Sequence, residues 1–358
     1  MIYIFLLTII ISFEIMNICT EYKYKKINRY GFIVIALILV LIAGFRSGIG
    51  YDFESYNNIF KMIKTGTLKT SEISVEPAYY LINKICSNFK IVILISAFIG
   101  VGIKILMINK YSENKFISLA MYFSGVYIMY DMGVIRQGMS IAIALISIKY
   151  IKEQNFVKFF TTIIIASLFH VSILLFIPLY FISSRFFSRK LIYGSTLIVL
   201  IISLFDISGI ILKIVEAINI PFISSKIAYY TSYDTGNVTL SLLKRIVFLI
   251  LFVEFFKYKR IKDSYSIIFL NGYFISVLMM GIFSSIDILG SRGTMGLYFL
   301  QVFVFSTMLK YLNQKWSKLT LVIVVALLSF NSMSNTIRYG NESNQPYTPY
   351  KSIINYKN

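Results

Sequence analysis

Long apolar stretches recur along the whole chain, and they constrain the fold more than any other feature of the sequence. Hydrophobic residues make up 57% of the chain and charged residues only 14%, whereas an ordinary soluble domain carries about 25% charged residues. The runs are continuous rather than alternating, which excludes a transmembrane β-barrel. They also exclude a soluble globule, a secreted disulfide scaffold and a disordered chain. The sequence therefore predicts an all-α polytopic membrane protein.

The net charge of +19, from 35 Lys and Arg against 16 Asp and Glu, would suggest nucleic acid binding in a soluble protein. In a membrane protein, basic residues instead collect in cytoplasmic loops and set the orientation. No basic block lies outside a short loop, so we expect no nucleic-acid partner. A single histidine, with only Cys19 and Cys86 as cysteines, makes a thiolate or polyhistidine metal site implausible.

The spacing of the apolar runs predicts where the chain crosses the membrane. A helix needs about 20 residues to cross the hydrocarbon layer, and about 17 suffice. The loop after the first run carries Lys23, Lys25, Lys26 and Arg29, so we place it in the cytoplasm. The predicted spans are 2–19, 31–47, 91–109, 116–131, 134–150, 191–210, 244–257, 265–284, 293–310 and 319–335.

The segment 155–184 decides the number of crossings. A single crossing would leave the basic loops that follow it outside, whereas two short helices, 155–168 and 172–184, return them to the cytoplasm. We therefore predict a hairpin that turns at Phe169-His170-Val171 near the outer face. The result is about 12 transmembrane helices with both termini external.

The predicted domain organisation is simple. Residues 1–335 form a single transmembrane domain with an external loop at 48–90, and residues 336–358 form a polar C-terminal tail. In this topology Cys19 lies on the cytoplasmic side and Cys86 on the external side, which disfavours a disulfide between them.

Ionisable residues near the bilayer fall mostly on its outer side in this topology. Such groups are expensive in a membrane and call for a partner or a function. Polarity on one side suits a site open to the outside, whereas a transporter more often carries such groups near the midplane. The residues concerned are Arg46, Asp52, Glu54, Glu76, Asp131, Arg136, His170, Asp206, Asp287 and Arg292.

Each of these residues has a structural interpretation beside a functional one. Arg46, in the glycine-containing segment 44–56, either binds phosphate through its planar fork or extends to the interface with Asp52 as its partner. Glu76 either starts a helix before Pro77 or accepts a proton from a sugar hydroxyl. His170 is either structural, or hydrogen bonds to a diphosphate or transfers a proton.

Two segments repeat one arrangement, in which an Asp precedes an Arg by five residues around a glycine. They are Asp131 with Arg136, and Asp287 with Arg292. Either each pair forms a salt bridge that clamps a tight outer turn, or the arginines supply positive charge to a diphosphate.

Taken together, these motifs resemble the EpsG family of exopolysaccharide proteins, within the wider Wzy-like O-antigen and capsule polymerase group. The resemblance rests on the order of five motifs between about residues 44 and 298. These are Gly44-Phe45-Arg46 with Tyr51-Asp52-Phe53-Glu54-Ser55-Tyr56, Glu76-Pro77 with Tyr79, Arg136-Gln137, Phe169-His170-Val171-Ser172, and Arg292. Ile173 replaces the small residue usual after His-x-Ser in the family.

The resemblance implies a GT-C-like membrane glycosyltransferase that acts as a polysaccharide polymerase. It would join undecaprenyl-diphosphate-linked oligosaccharide repeat units at the outer face of the bacterial cytoplasmic membrane. The implied partners are the lipid-linked donor and acceptor and the bilayer, with a chain-length regulator as a further candidate. A flippase or transporter of lipid-linked saccharides, and an integral-membrane acyltransferase, are the alternatives.

The implied site uses fixed positive charge to stabilise a diphosphate leaving group. No Asp-x-Asp motif or carboxylate and histidine cluster suggests a divalent metal, so we predict a metal-independent reaction without a cofactor. The predicted diphosphate-binding residues are Arg46, Arg136, Gln137 and Arg292; the catalytic residues are Asp52, Glu76 and His170, with Asp52 or Glu76 favoured as the base; and the sugar-binding residues are Tyr51, Tyr56 and Tyr79.

Overall fold

The computed structural model describes residues 1–68, 75–182, 185–218, 239–342 and 346–352, and the regular secondary structure of these segments is helical. One isolated antiparallel bridge, between Arg46 and Ser352, is the only β pairing among them. The α-helices are α1 (Ile2–Cys19), α2 (Lys25–Gly44), α3 (Phe53–Thr65), α4 (Pro77–Ile85), α5 (Phe89–Ala97), α6 (Ile103–Tyr111), α7 (Lys115–Tyr122), α8 (Ile135–Ile146), α9 (Ile148–Lys152), α10 (Phe156–Ser167), α11 (Pro178–Ile182), α12 (Arg189–Ile202), α13 (Ser208–Ile218), α14 (Thr239–Tyr258), α15 (Ser264–Ile282), α16 (Met295–Tyr298), α17 (Gln301–Tyr311) and α18 (Lys315–Glu342).

Within the described segments, five stretches are long and apolar enough to cross a membrane. They are α1, α2, the continuous stretch Phe89–Tyr111, α15 and α18. All five coincide with predicted spans, which confirms a helical membrane protein. The predicted total of about 12 crossings is not established by these five, because several other apolar runs are divided into shorter helices.

Three π-helical segments interrupt the apolar runs: Phe98–Gly102, Phe123–Asp131 and Ile288–Gly293. The predicted span 116–131 is therefore α7 followed by a π-helix, and the span 293–310 is divided between α16 and α17. A π segment widens the turn and re-aims the side chains that follow it. Hydropathy reports apolar length but not this change of winding, so the sequence predicted unbroken spans.

The predicted hairpin at 155–184 is broken where we expected it. Helix α10 ends at Ser167, and a 3₁₀ segment, Val171–Phe176, precedes the short helix α11. The described part of the second arm, up to residue 182, is therefore two short pieces rather than one helix, with Pro178 at the start of α11. Proline is favoured at the first turn of a helix, where its missing N–H is not needed.

The predicted external loop 48–90 contains two helices, α3 and α4. Helix α3 ends at Gly66, which has a left-handed backbone, as helix C-termini often do. The buried faces of the two helices form a hydrophobic cluster around Tyr56 and Tyr79, which also includes Ile93 and Ile135 from the helices below. The loop is thus packed on the helices around it.

The chain divides into two compact units. The first comprises Met1–Ser147, Thr161–Val171 and Val302–Asn358, and in it α18 packs on α1 and on the π segment Phe123–Asp131. The second comprises Ile148–Phe160 and Ser172–Gln301. Helix α15 is central to the second unit, where it contacts α11, α12, α14 and α16.

Candidate functional site

Arg136, at the start of α8, pairs with Glu76, at the start of α4. The Nη1 of Arg136 donates a hydrogen bond of 2.7 Å to Oε2 of Glu76. The Glu76 side chain is 1% exposed and that of Arg136 is 21% exposed, so the arginine is the member of the pair that reaches solvent. The Nε of Arg136 has no hydrogen-bond partner among the described residues. Glu76 therefore holds one nitrogen of the guanidinium, and the Nε–H remains a donor without a partner among the described residues.

Two tyrosines, on α3 and α4, flank this guanidinium. It lies 5.4 Å from the ring centroid of Tyr56 and 5.9 Å from that of Tyr79, which is within cation–π range. The two rings meet edge to face at 5.5 Å. Burial raises the pKa of both phenols, so at neutral pH they are hydrogen-bond donors and not bases. Their rings hold the Arg136 side chain in place.

Asp52 completes this group, since the hydroxyl of Tyr56 donates to its Oδ2 at 3.3 Å. Asp52 is the residue before α3, and Tyr56 lies one turn into that helix. We call Asp52, Tyr56, Glu76, Tyr79 and Arg136 the Arg136 cluster. All five were predicted as site residues, and the fold of the first unit brings them together.

The turn that leads to Asp52 is held against the start of α8. Gly50 has a φ of 112°, and a Cβ built on it would lie 1.9 Å from the carbonyl oxygen of Met132. Gly50 therefore allows close approach of two backbone segments of the protein itself.

Arg46 is almost fully buried, with 1% of the residue exposed. Its Nε donates to the carbonyl of Ile49 at 3.3 Å, and its Nη1 donates to the carbonyl of Ala43. The guanidinium therefore binds the backbone on both sides of the point where α2 ends. Among the described residues it makes no salt bridge.

Residues 346–352 of the predicted tail cover Arg46. The backbone N–H of Ser47 donates to the carbonyl of Lys351 at 3.0 Å. The hydroxyl of Tyr350 donates to the carbonyl of Ile42 at 2.9 Å. Tyr347 is buried, and its carbonyl accepts a hydrogen bond from the hydroxyl of Tyr3. Local sequence patterns do not predict this docking, because its contacts join positions about 300 residues apart.

His170 lies at the break between α10 and the 3₁₀ segment, and the surrounding backbone is tied to neighbouring helices. Ser140, on α8, donates from Oγ to the carbonyls of Ala166 and His170, at 2.9 and 3.2 Å. The N–H of Ala78, on α4, donates to the carbonyl of Leu168 at 3.0 Å. The predicted turn is thus attached to the same two helices that carry Arg136 and Glu76.

The remaining predicted site residues fall elsewhere. Gln137 follows Arg136 and is buried. Tyr51 stacks on Tyr339 of α18, with ring centroids 5.9 Å apart, and is not in the Arg136 cluster. Arg292 lies in the π segment Ile288–Gly293 of the second unit.

Two buried cations inside apolar runs, Lys104 and Arg245, were not among the predicted site residues. Lys104 donates to Oδ1 of Asp131 at 2.5 Å, and Tyr122 donates to the other oxygen of the same carboxylate at 2.7 Å. Arg245 donates to Thr294 at 2.8 Å. Both cations lie within predicted spans, where an ionisable residue is itself a signal in the sequence.

The salt bridge of Asp131 with Lys104 also revises a sequence-based interpretation. One alternative paired Asp131 with Arg136 across a turn, but Arg136 instead pairs with Glu76, which is 60 residues away. The described parts of the chain contain no group of three or more His, Cys, Asp or Glu side chains arranged to hold a metal ion.

Comparison with known proteins agrees with the resemblance seen in the motifs. The amylovoran biosynthesis protein AmsC of Erwinia amylovora is 27% identical to this chain over 297 residues, which are 77% of this chain and 78% of that protein. No solved structure matches the chain. The model of the EpsG family matches residues 29–352, nearly the whole sequence, and that range holds every residue of the Arg136 cluster. The chain therefore belongs to the EpsG family.

Proposed function

We propose that this protein is a polysaccharide polymerase of the bacterial cytoplasmic membrane. It joins oligosaccharide repeat units carried on undecaprenyl diphosphate at the outer face, with both of its termini external. The observation that carries the proposal is the Arg136 cluster, in which motif residues spread from position 52 to 136 meet around one partly exposed guanidinium. Membership of the EpsG family and the similarity to an amylovoran biosynthesis protein support the substrate class.

The reaction needs positive charge where the leaving group departs. A hydroxyl oxygen of the acceptor sugar attacks the anomeric carbon of the donor, the bond from that carbon to the diphosphate oxygen breaks, and the diphosphate keeps the electron pair. Arg136 suits this role because Glu76 fixes one nitrogen while Nε has no partner among the described residues. A donor that is already oriented stabilises developing charge without reorganisation.

A base must take the proton of the acceptor hydroxyl. Glu76 is already bound to Arg136, and pairing with a guanidinium lowers the basicity of a carboxylate. We therefore assign Glu76 to the positioning of Arg136, and retain Asp52 and His170 as the candidate bases. Asp52 accepts from Tyr56 within the cluster, and the His170 backbone is fixed to α8.

The other predicted ligands keep their proposed roles with one change. Tyr56 and Tyr79 are buried against Arg136, which favours a positioning role over sugar stacking and leaves Tyr51 as the proposed sugar-binding ring. Arg46 reaches a diphosphate only if residues 346–352 move away from it. Arg292 stays a proposed diphosphate-binding residue.

The proposal is tested by polymer length in cells. The gene is deleted and then complemented with wild type or with Arg136→Ala, His170→Ala or Arg292→Ala, and polymer is resolved as a ladder on a gel. We expect each variant to leave single repeat units at normal membrane abundance. Arg338→Ala is the matched control, because the Arg338 side chain is 79% exposed and, among the described residues, forms a salt bridge with Glu342 one turn away.

Two other outcomes would contradict the proposal. Repeat units that accumulate on the cytoplasmic side with normal chain length would indicate a transporter. A change in acylation alone would indicate an acyltransferase.

We also expect polymerisation by purified protein to persist in EDTA, and strict dependence on added metal would overturn the metal-independent mechanism.

A further inference from the structure

The first unit contains a cavity far from the Arg136 cluster. It has a volume of about 930 Å³ and lies between α2 and the stretch Phe89–Tyr111. Its polar end is formed by the α1–α2 connection and by the turn before α7. Helix α2 begins at this polar end and reaches Arg46 only after its 20 residues, a rise of about 30 Å. The polar end of the cavity therefore lies toward the membrane face opposite the proposed active site.

The polar end carries excess positive charge. Lys25, Arg29 and Lys115 line it, against a single carboxylate, Glu113. Glu113 is engaged by Lys310 at 3.0 Å, and no described acidic residue pairs with Lys25 or Arg29. Such an end attracts an anion, and the guanidinium of Arg29 favours phosphate.

Two buried oxygens at this end also lack partners. Asn17, which is 4% exposed, and Asn28 both line the cavity, and the Oδ1 atom of each has no hydrogen-bond partner among the described residues. Buried polar atoms in proteins are nearly always hydrogen-bonded. These oxygens accept hydrogen bonds, so they fit a ligand that offers hydroxyl donors beside its phosphate.

The rest of the cavity is apolar and open at the side. Ile33 and Leu37 of α2 face Phe98 and Leu106 across it, and all four side chains are exposed on the protein surface. Along α2, the wall runs from Arg29 to Val40, a rise of about 16 Å. That length is about half the hydrocarbon thickness of a bilayer, or one leaflet.

We propose that this cavity binds one anionic phospholipid whose headgroup carries free hydroxyls, as phosphatidylglycerol does. The phosphate lies among Lys25, Arg29 and Lys115, the headgroup hydroxyls donate to Asn17 and Asn28, and an acyl chain lies along α2. The charge, the unpartnered oxygens and the leaflet-length wall together select this class over a neutral lipid or a soluble anion. The site is independent of the proposed polymerase activity.

A substitution in the apolar wall can block the acyl chain of the lipid without disturbing the packing of the protein. A Cβ on Gly102, which lines the cavity, would meet no atom within 4 Å, so Gly102→Phe fills the groove. Gly194 on α12 is equally open, and Gly194→Phe is the matched control. Arg29→Glu tests the polar end separately, should Gly102→Phe fail to fold.

The test is native mass spectrometry of the detergent-purified protein with added phosphatidylglycerol or phosphatidylcholine of the same acyl chains. We expect wild type and Gly194→Phe to retain phosphatidylglycerol about tenfold more tightly than phosphatidylcholine, and Gly102→Phe and Arg29→Glu to lose that preference. Equal binding of the two lipids by wild type would overturn the proposal. Stronger retention of a polyprenyl phosphate than of phosphatidylglycerol would also overturn it, because the occupant would then be a carrier lipid.

Discussion

Arg136 is oriented from three sides, which makes the shape of its side chain as important as its charge. Glu76 accepts from Nη1, and the rings of Tyr56 and Tyr79 lie along the guanidinium. A lysine keeps the positive charge but presents no planar fork to the carboxylate or to a diphosphate.

We therefore expect Arg136→Lys to lower the polymerisation rate about 10- to 100-fold, the loss of one or two charge-assisted hydrogen bonds. The measurement is polymer yield against time at matched protein abundance. Arg338→Lys is the control, since that side chain is exposed, and should behave as wild type. Wild-type chain length and rate in Arg136→Lys would argue against a diphosphate role for Arg136.

Lys104 and Asp131 form a buried salt bridge whose role is structural. Both side chains are buried, and the ammonium group also donates to the carbonyl of Gly138 at 2.7 Å. Tyr122 satisfies the other carboxylate oxygen. Removing one partner leaves the other charge buried and unpaired, which costs about 3–5 kcal/mol.

We expect Lys104→Met and Asp131→Leu each to lower the thermal unfolding midpoint of the purified protein strongly, and the double variant to lower it by less than the sum of the two. The reason is that the double variant leaves no buried charge without a partner. Strictly additive losses would show that the two groups are not coupled. The Arg338→Ala variant controls for the loss of a basic residue as such.

At the scale of elements, the turn between α2 and α3 depends on Gly50 more than on Gly48. Gly50 has positive φ and would place a Cβ 1.9 Å from the Met132 carbonyl, whereas Gly48, with φ of 63°, would meet no atom within 4 Å. A left-handed backbone alone costs a non-glycine residue about 1 kcal/mol. A backbone clash adds to that cost, because the two segments must separate.

Gly50→Ala is thus expected to lower stability and polymer yield together, while Gly48→Ala lowers stability by about 1 kcal/mol with near-normal yield. Thermal unfolding and the polymer ladder measure the two effects. Equal behaviour of the two variants would mean that the approach to Met132 does not position Asp52 and α3.

The sequence predicted the helical elements better than their interruptions. Apolar length located α1, α2, Phe89–Tyr111, α15 and α18, and the charge of the following loops located the break before Val171. The start of α4 agrees with one of the two interpretations of Glu76-Pro77. The π segments and helix α3 were not predicted, because winding and packing depend on contacts that hydropathy does not contain.

The five residues of the Arg136 cluster were all predicted as site residues, but the way they pair was not. Asp131 is five residues from Arg136, yet its partner is Lys104, and the partner of Arg136 is Glu76. Local spacing favoured the nearer carboxylate. The fold decides otherwise because Asp131 faces the interior beside Tyr122 and Lys104, while Arg136 faces α3 and α4.

For the whole molecule, the orientation in the membrane determines what the two ends of the first unit do. Helix α2 begins beside the proposed lipid cavity and ends next to Arg46. If the α1–α2 loop is cytoplasmic, as its basic residues predict, the Arg136 cluster faces outward and the lipid cavity faces the inner leaflet.

The two native cysteines test this orientation without any inserted tag. Cys19 ends α1 beside that loop and is exposed, whereas Cys86 is buried. Burial also raises the pKa of the Cys86 thiol, so less of the reactive thiolate is present at a given pH.

We expect a membrane-impermeant maleimide to label inverted vesicles but not intact spheroplasts, and Cys19→Ser to abolish that labelling. Cys86 should react slowly, faster as the pH rises, and fully only after unfolding. Rapid labelling of Cys19 in intact spheroplasts would reverse the topology, place the Arg136 cluster in the cytoplasm, and overturn polymerisation at the outer face.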